Sequence, residues 1–164
     1  MTKKHIPFAK TATIHKSQKF ISIEALSGAS GLKYREEPGY RVYLAPEAAN
    51  EALGQALLAA LDRSRFIDPS EHEFYEPGRA MRAYENWQKD FMMRYGYKSK
   101  RDAYKSMDWC LAKASGQTIT IQPHRRNKPG SWRSLPADRT VEISATTNEA
   151  TLGAALRLAL ERCE

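Results

Sequence analysis

The side chains of this chain that could do chemistry include four histidines and two cysteines, and their spacing decides what chemistry is open to them. His5, His15, His72 and His124 stand apart, and neither Cys110 nor Cys163 has a partner at Cys-x-x-Cys spacing. No metal-ligand set is expected from such a pattern. His72 lies between Glu71 and Glu73, but alternate neighbours in an exposed loop rarely converge on one cation. Glu36 and Glu37 are adjacent, so their carboxylates diverge instead of sharing a substrate. Cys110 follows Trp109 in an apolar run, where a thiol's pKa rises and its reactivity falls. Gly28-Ala-Ser-Gly31 lacks the setting of a phosphate-binding loop, and no Gly-x-Ser-x-Gly elbow is present. The expectation is a protein without catalytic residues, metal or cofactor: not an enzyme.

Two other kinds of surface chemistry are written in the chain. Asp68, Glu71, Glu73 and Glu76 fall within nine residues that hold no Lys or Arg, around Phe74 and Tyr75. Like charges gathered about two aromatic rings fit a surface that recognises a basic protein partner. Arg94 to Arg101 and Arg125 to Arg133 mix cations with rings, as single-strand nucleic-acid surfaces do. There Tyr97 and Trp132 are the candidate stacking rings. A net charge of +7 permits that alternative, a small basic nucleic-acid-binding protein, but the cations are scattered along the chain.

At 164 residues, 41% apolar, the chain suits one domain, 1–164, with a sizeable core. A mean hydropathy of −0.63 with 10% aromatics is a globular balance, not a disordered one. No apolar run approaches the roughly 20 residues of a membrane span. Met1 to Phe8 lacks the apolar segment of a signal peptide, so the cytoplasm is the expected address. The two cysteines sit among apolar neighbours and are expected to be reduced core residues.

The elements that must position these groups include a repeat. Leu53-Gly-Gln-Ala-Leu-Leu-Ala-Ala-Leu-Asp-Arg-Ser64 matches Leu152-Gly-Ala-Ala-Leu-Arg-Leu-Ala-Leu-Glu-Arg-Cys163, each after a strand-like run, 40–44 or 140–144. Leucines at every fourth position predict apolar helix stripes over about 47–64 and 148–162. Gly54 and Gly153 each cost such a helix about 1 kcal/mol relative to Ala, tolerable where another backbone comes close. Pro46 is expected at the first helical position, and Thr146 to Glu149 as a capping box for the second helix.

Elsewhere, residues 1–16 read as an arm with a short strand near Thr11–Ile14, 19–24 as a half-buried strand, 27–31 as a loop and 35–39 as a turn. Met81, Tyr84, Trp87, Phe91 and Tyr95 mark a helix over 78–95, with Gly96 past its end. Ser99 and Asp102 form an approximate capping box for a short helix toward Met107. Strands follow at 109–112 and 118–121, then a basic loop from Pro123 to Pro136. Few long helices among strands joined by loops or hairpins give an α+β fold with a largely antiparallel sheet flanked by helices.

Tyr84-Glu-Asn-Trp87, then Tyr95-Gly-Tyr-Lys-Ser-Lys-Arg-Asp-Ala-Tyr-Lys-Ser-Met107 and Cys110, resemble the immunity proteins of bacterial contact-dependent growth inhibition (CDI) systems. Ile119-Thr-Ile-Gln-Pro-His124, Trp132, Val141–Ile143 and the ending from Leu152 follow in order, so the resemblance spans 18–164. It implies a cytoplasmic protein that binds and blocks the toxic C-terminal domain, commonly a nuclease, of a cognate effector, protecting the producing cell and its siblings. Inhibitors of basic nucleases are often acidic, and this chain is basic overall. Either the toxin presents an acidic face, or the acidic stretch 68–76 meets a basic one. The family has no binding motif to carry over, so the assignment of toxin binding to Asp68, Glu71, Glu73, Phe74, Tyr75 and Glu76 rests on charge and ring chemistry alone.

Overall fold

The computed structural model of the chain describes residues 8–164. Eight strands, β1 (Lys10–Lys16), β2 (Ile21–Ala29), β3 (Leu32–Tyr34), β4 (Arg41–Leu44), β5 (Asp108–Ser115), β6 (Thr118–Arg126), β7 (Trp132–Ser134) and β8 (Val141–Ser144), form one antiparallel sheet. Its centre runs β2-β1-β5-β6. On the free edge of β2, β4 pairs with residues 21–24 and β3 with residues 27–29. On the free edge of β6, β8 pairs with 118–121 and β7 with 124–126. Pro123 falls between those two partners, where its missing N–H costs the ladder least.

The short strand expected near Thr11–Ile14 lies within β1, which runs on to Lys16 and is not part of an arm but the central strand, with β2 on one side and β5 on the other. Residues 1–7 and His5 lie outside the described part. The stretch 27–29 likewise continues β2, and 123–136 is no plain loop but the end of β6 and its hairpin to β7. At 10–16 and 27–29 the apolar signal is diluted by polar residues whose face is nonetheless covered, whereas Arg125, Arg126, Arg133 and Ser134 stay exposed on paired strands.

One face of the sheet carries Ala12, Ile14, Ile21, Ile23, Cys110, Ala112, Ile119 and Ile121 against α1 (Asn50–Arg63) and α5 (Glu149–Glu161). The six stripe leucines, from Leu53 to Leu160, are at most 4% exposed, each worth about 1.5–3 kcal/mol of burial. A Cβ on Gly54 would lie 1.8 Å from the Glu149 carbonyl oxygen, and one on Gly153 would lie 1.8 Å from that of Asn50. Each glycine therefore seats the start of the partner helix. α1 begins at Asn50, not near Pro46, which sits in a preceding turn whose carbonyl accepts from Arg157 at 3.0 Å. Asn148, not Thr146, caps α5, accepting from the Thr151 N–H at 2.8 Å.

The other face meets α3 (Pro77–Tyr95) and α4 (Lys100–Tyr104), which bring Trp87, Phe91, Ala103 and Tyr104 onto Phe20 and Met107 as a second core. Gly96 ends α3 at φ 68°, and Ser99 caps α4 through the Asp102 N–H at 3.1 Å. Met81, on the expected stripe, is instead 58% exposed and lines an open cleft.

Candidate functional site

The acidic stretch is a folded lip with its own local logic. The Asp68 carboxylate accepts from the Ser70 N–H at 2.8 Å, making the turn that Asp-Pro favours. The Ser70 hydroxyl, and then that backbone bond, hold the Asp68 carboxyl below its ordinary value. One helical turn follows, α2 (His72–Tyr75), before Pro77 opens α3. The base of the lip is tied to the sheet: Gly28 donates to the Arg65 carbonyl at 3.0 Å, and Ile67 donates to that of Gly28 at 3.1 Å.

Phe74 and Tyr75 are half-buried. Their rings meet edge-on at 5.1 Å, and both reach Tyr34, at 6.2 and 6.3 Å. The Tyr75 hydroxyl donates to the Ile67 carbonyl, and burial, then the charges of Asp68 and Glu71, push it above its ordinary value. Arg79 lies 4.1 Å from the Phe74 ring centre and donates to the carbonyls of Phe74 at 2.8 Å and Arg35 at 2.9 Å. The six residues picked from sequence thus stand together, with the rings turned inward and the carboxylates exposed outward. Ion pairs among the described residues use none of these four carboxylates. Leu32, Phe66 and Met81, 50%, 52% and 58% exposed, add apolar surface on the neighbouring β2–β3 end and first turns of α3.

Beside the lip opens a cleft of about 550 Å³ on the second face of the sheet, within the size range of binding pockets. Tyr34, Pro77, Ala80 and Met81 join it to the lip, and Thr13, His15, Trp109 and Trp132 line it from the sheet side. Lys33 and Arg35 give its wall positive charge. Burial, then Lys113, lowers the Lys33 ammonium from its ordinary value. Behind Arg35, the 2% exposed Glu24 accepts from Arg35 at 3.0 Å and Arg41 at 2.9 Å.

His15 and His124, isolated in sequence, converge on Trp109: His124 stacks on it at 3.8 Å, and His15 lies at 6.2 Å. His15 is 4% exposed and touches Trp87 at 4.5 Å. Burial first, then Arg35 and His124, holds it well below its ordinary value, so it is a neutral ring. Sequence reading missed this cluster. The available signal was alternation, since Thr11, Thr13 and His15 share one face of a strand that had been ended at Ile14. Among the described residues no group of three or more His, Cys, Asp or Glu gathers where it could hold a metal.

The rings expected to stack on bases are engaged internally. The Tyr97 hydroxyl donates to Ser17 at 2.8 Å while its ring packs on Phe20 and Phe91. Trp132 donates its indole N–H to the Met107 carbonyl at 3.0 Å and packs between Tyr104 and Trp109.

Residues 10–163 match the family model described as CDI immunity protein. Among curated proteins, immunity protein CdiI-YPIII of Yersinia pseudotuberculosis serotype O:3 (strain YPIII) is 30% identical over 172 residues, covering 93% of this chain and 94% of that one. Among solved structures, a CdiA-CT/CdiI toxin and immunity complex from Yersinia pseudotuberculosis matches with a TM-score of 0.89 at 29% identity, over 97% of this chain and 99% of the other. A protein of unknown function from Neisseria meningitidis, NMB0488, also matches at TM-score 0.89, with 27% identity over the whole of both chains. With sequence, family and fold in agreement over nearly its full length, the chain belongs to the CDI immunity protein family.

Proposed function

We propose that this protein binds the toxic C-terminal domain of a cognate CDI effector in the cytoplasm and neutralises it as a stoichiometric inhibitor, not as an enzyme. Family membership supports the class, and the likeness to the immunity protein of a toxin–immunity complex supports the partner. The toxin is taken to be a nuclease, the commonest activity that the family resemblance implies. Its basic substrate-binding face would meet the lip of Asp68, Glu71, Glu73 and Glu76. The observation that carries this placement is four exposed carboxylates without ion-pair partners among the described residues, beside exposed Phe66, Leu32 and Met81 and the mouth of the cleft. Exposed rim charges act mainly on association, and buried rings and apolar side chains hold the complex once formed. Phe74 and Tyr75 serve as the backing of that surface, offering only their outer edges to the toxin.

The test is co-expression with the toxin domain, then titration of purified partners. Growth is restored, and toxin activity falls to zero near one equivalent of immunity protein; neutralisation at far below one equivalent refutes inhibition by complex formation. Replacing Glu71 and Glu73 by Lys leaves folding intact and slows association, most at low salt, where the Debye length reaches about 30 Å. Wild-type kinetics in the folded double variant would move the contact away from the lip, to the basic 124–133 stretch facing an acidic toxin surface.

A further inference from the structure

The two cysteines, 53 residues apart in sequence, meet in the fold with their sulfurs 3.6 Å apart. Cys110 is the third residue of β5, a strand at the centre of the sheet, and is fully buried. Cys163 lies past the last residue of α5, half-buried, its thiol 3.4 Å from the Trp109 carbonyl and 3.6 Å from that of Ala159. The chain end around it is tied to β6, since Glu164 donates to the His124 carbonyl at 3.2 Å and accepts from the Arg126 N–H at 2.6 Å.

We propose that Cys110 and Cys163 are a thiol pair that peroxides convert to an intramolecular disulfide, locking the C-terminal end of α5 to the centre of the sheet. Sulfurs already in contact need to close only to about 2.0 Å. Cys163 lies outside the helix, so rotation of its own side chain can cover that distance. Its partial exposure makes Cys163 the sulfur that meets the oxidant. The hydrogen bond from Cys110 lowers the Cys163 thiol below its ordinary value, while that same bond and then burial hold Cys110 protonated. The Cys163 thiolate attacks one peroxide oxygen, the O–O bond breaks, and the departing hydroxide takes up a proton, leaving a sulfenic acid on Cys163. The Cys110 sulfur then attacks that of Cys163. The S–O bond breaks, the hydroxyl leaves with the Cys110 proton as water, and the S–S bond forms. Two thiols and one peroxide become one disulfide and two waters.

The reduced chain is treated with graded hydrogen peroxide and followed by peptide mass mapping, differential alkylation and thermal unfolding. Met93, 81% exposed, reports the dose through its sulfoxide. The expected result is a Cys110–Cys163 linked peptide within monomeric chain before Met93 is substantially oxidised. Both thiols then resist alkylation, and the melting temperature rises by on the order of 10 °C, as a loop of this length predicts. Dithiothreitol reverses all three changes, and Cys163→Ser, altered at the half-exposed position, shows neither the link nor the rise. The proposal is overturned if Cys163 accumulates sulfinic or sulfonic acid while Cys110 stays alkylatable after unfolding. It is equally overturned if the cysteines link only between chains, or if both remain thiols after Met93 is oxidised.

Discussion

Replacing Gly153 by Ala tests the central packing of the fold, because two physical effects of opposite sign compete there. At an uncrowded helical site, Gly→Ala stabilises by about 1 kcal/mol. Here the new methyl carbon would stand 1.8 Å from the Asn50 oxygen and 2.5 Å from its carbonyl carbon, both backbone atoms that cannot rotate aside. Restoring ordinary contact demands that α1 and α5 part by roughly 1.5 Å. That parting loosens Leu53, Leu57, Leu152 and Leu156, all 0% exposed. Overpacking of this kind costs about 1–3 kcal/mol, and a rigid backbone neighbour places it at the top of that range. After the propensity gain, the net loss is about 2 kcal/mol, a fall of roughly 4–8 °C in melting temperature for a chain of this size. Thermal unfolding followed by far-ultraviolet circular dichroism reads it directly. Ala154→Gly, one residue on and exposed, loses only the propensity of about 1 kcal/mol. Gly54→Ala repeats the experiment from the other helix. Because one separation relieves both clashes, the double variant should lose less than the sum of the singles. A raised melting temperature in Gly153→Ala would refute the backbone contact between the helices.

Acid should weaken the fold through His15. It is neutral when folded but binds a proton near its ordinary value of 6.5 when unfolded, so its contribution is complete above that pH and is lost as pH falls below it. His15→Phe should therefore lose less melting temperature between about pH 7 and about pH 5 than wild type, His124 supplying the remainder in the same direction; an unchanged pH profile would count against a buried neutral ring. Nucleic-acid binding should be weak, non-specific and steeply salt-dependent, with a log–log slope near one per phosphate contact. Submicromolar affinity for a defined RNA or DNA at physiological salt would restore the alternative function.

The repeat was legible because both copies carry leucine at the helical period, and their glycines broke that pattern for a reason the packing supplies. The helix over 78–95 was legible for the same reason, and Gly96 ended it as its left-handed conformation requires. The N-terminal strand was legible only in its middle, Thr11–Ile14, and not as a central strand, since Thr11, Thr13 and His15 look solvent-facing in sequence. Thr13 and His15 are buried beside the cleft that α3 and Arg35 wall, and Thr11 beneath Lys33, which donates to its hydroxyl at 3.3 Å. The strand expected over 19–24 is covered on both faces for a similar reason: Arg35 and Arg41, from beyond it in the chain, let the Glu24 carboxylate stay inside. The lip residues stand together because they fall within nine positions of sequence, whereas the cleft beside them draws on β1, β2, β3, α3, β5 and β7, which no local pattern joins.

Acids outside any ion pair also occur elsewhere, Glu85 and Glu142 among them, but four within nine residues separate the lip from the rest of this basic chain. Glu24 is held by Arg35 and Arg41, Glu36 by Arg65 at 2.6 Å, and Glu164 by Arg125 and Arg139. Those acids are spent on internal structure, and their fields are largely cancelled at short range. The Asp68–Glu76 carboxylates face water without such partners among the described residues, so their field extends outward to about a Debye length, near 8 Å at physiological salt. A net charge of +7 therefore says little about which partner approaches this face. Under the proposed placement, a cationic surface would be steered toward the lip although the molecule as a whole repels it, and that would confine productive encounters to the orientation that brings the exposed Phe66, Leu32 and Met81 into contact.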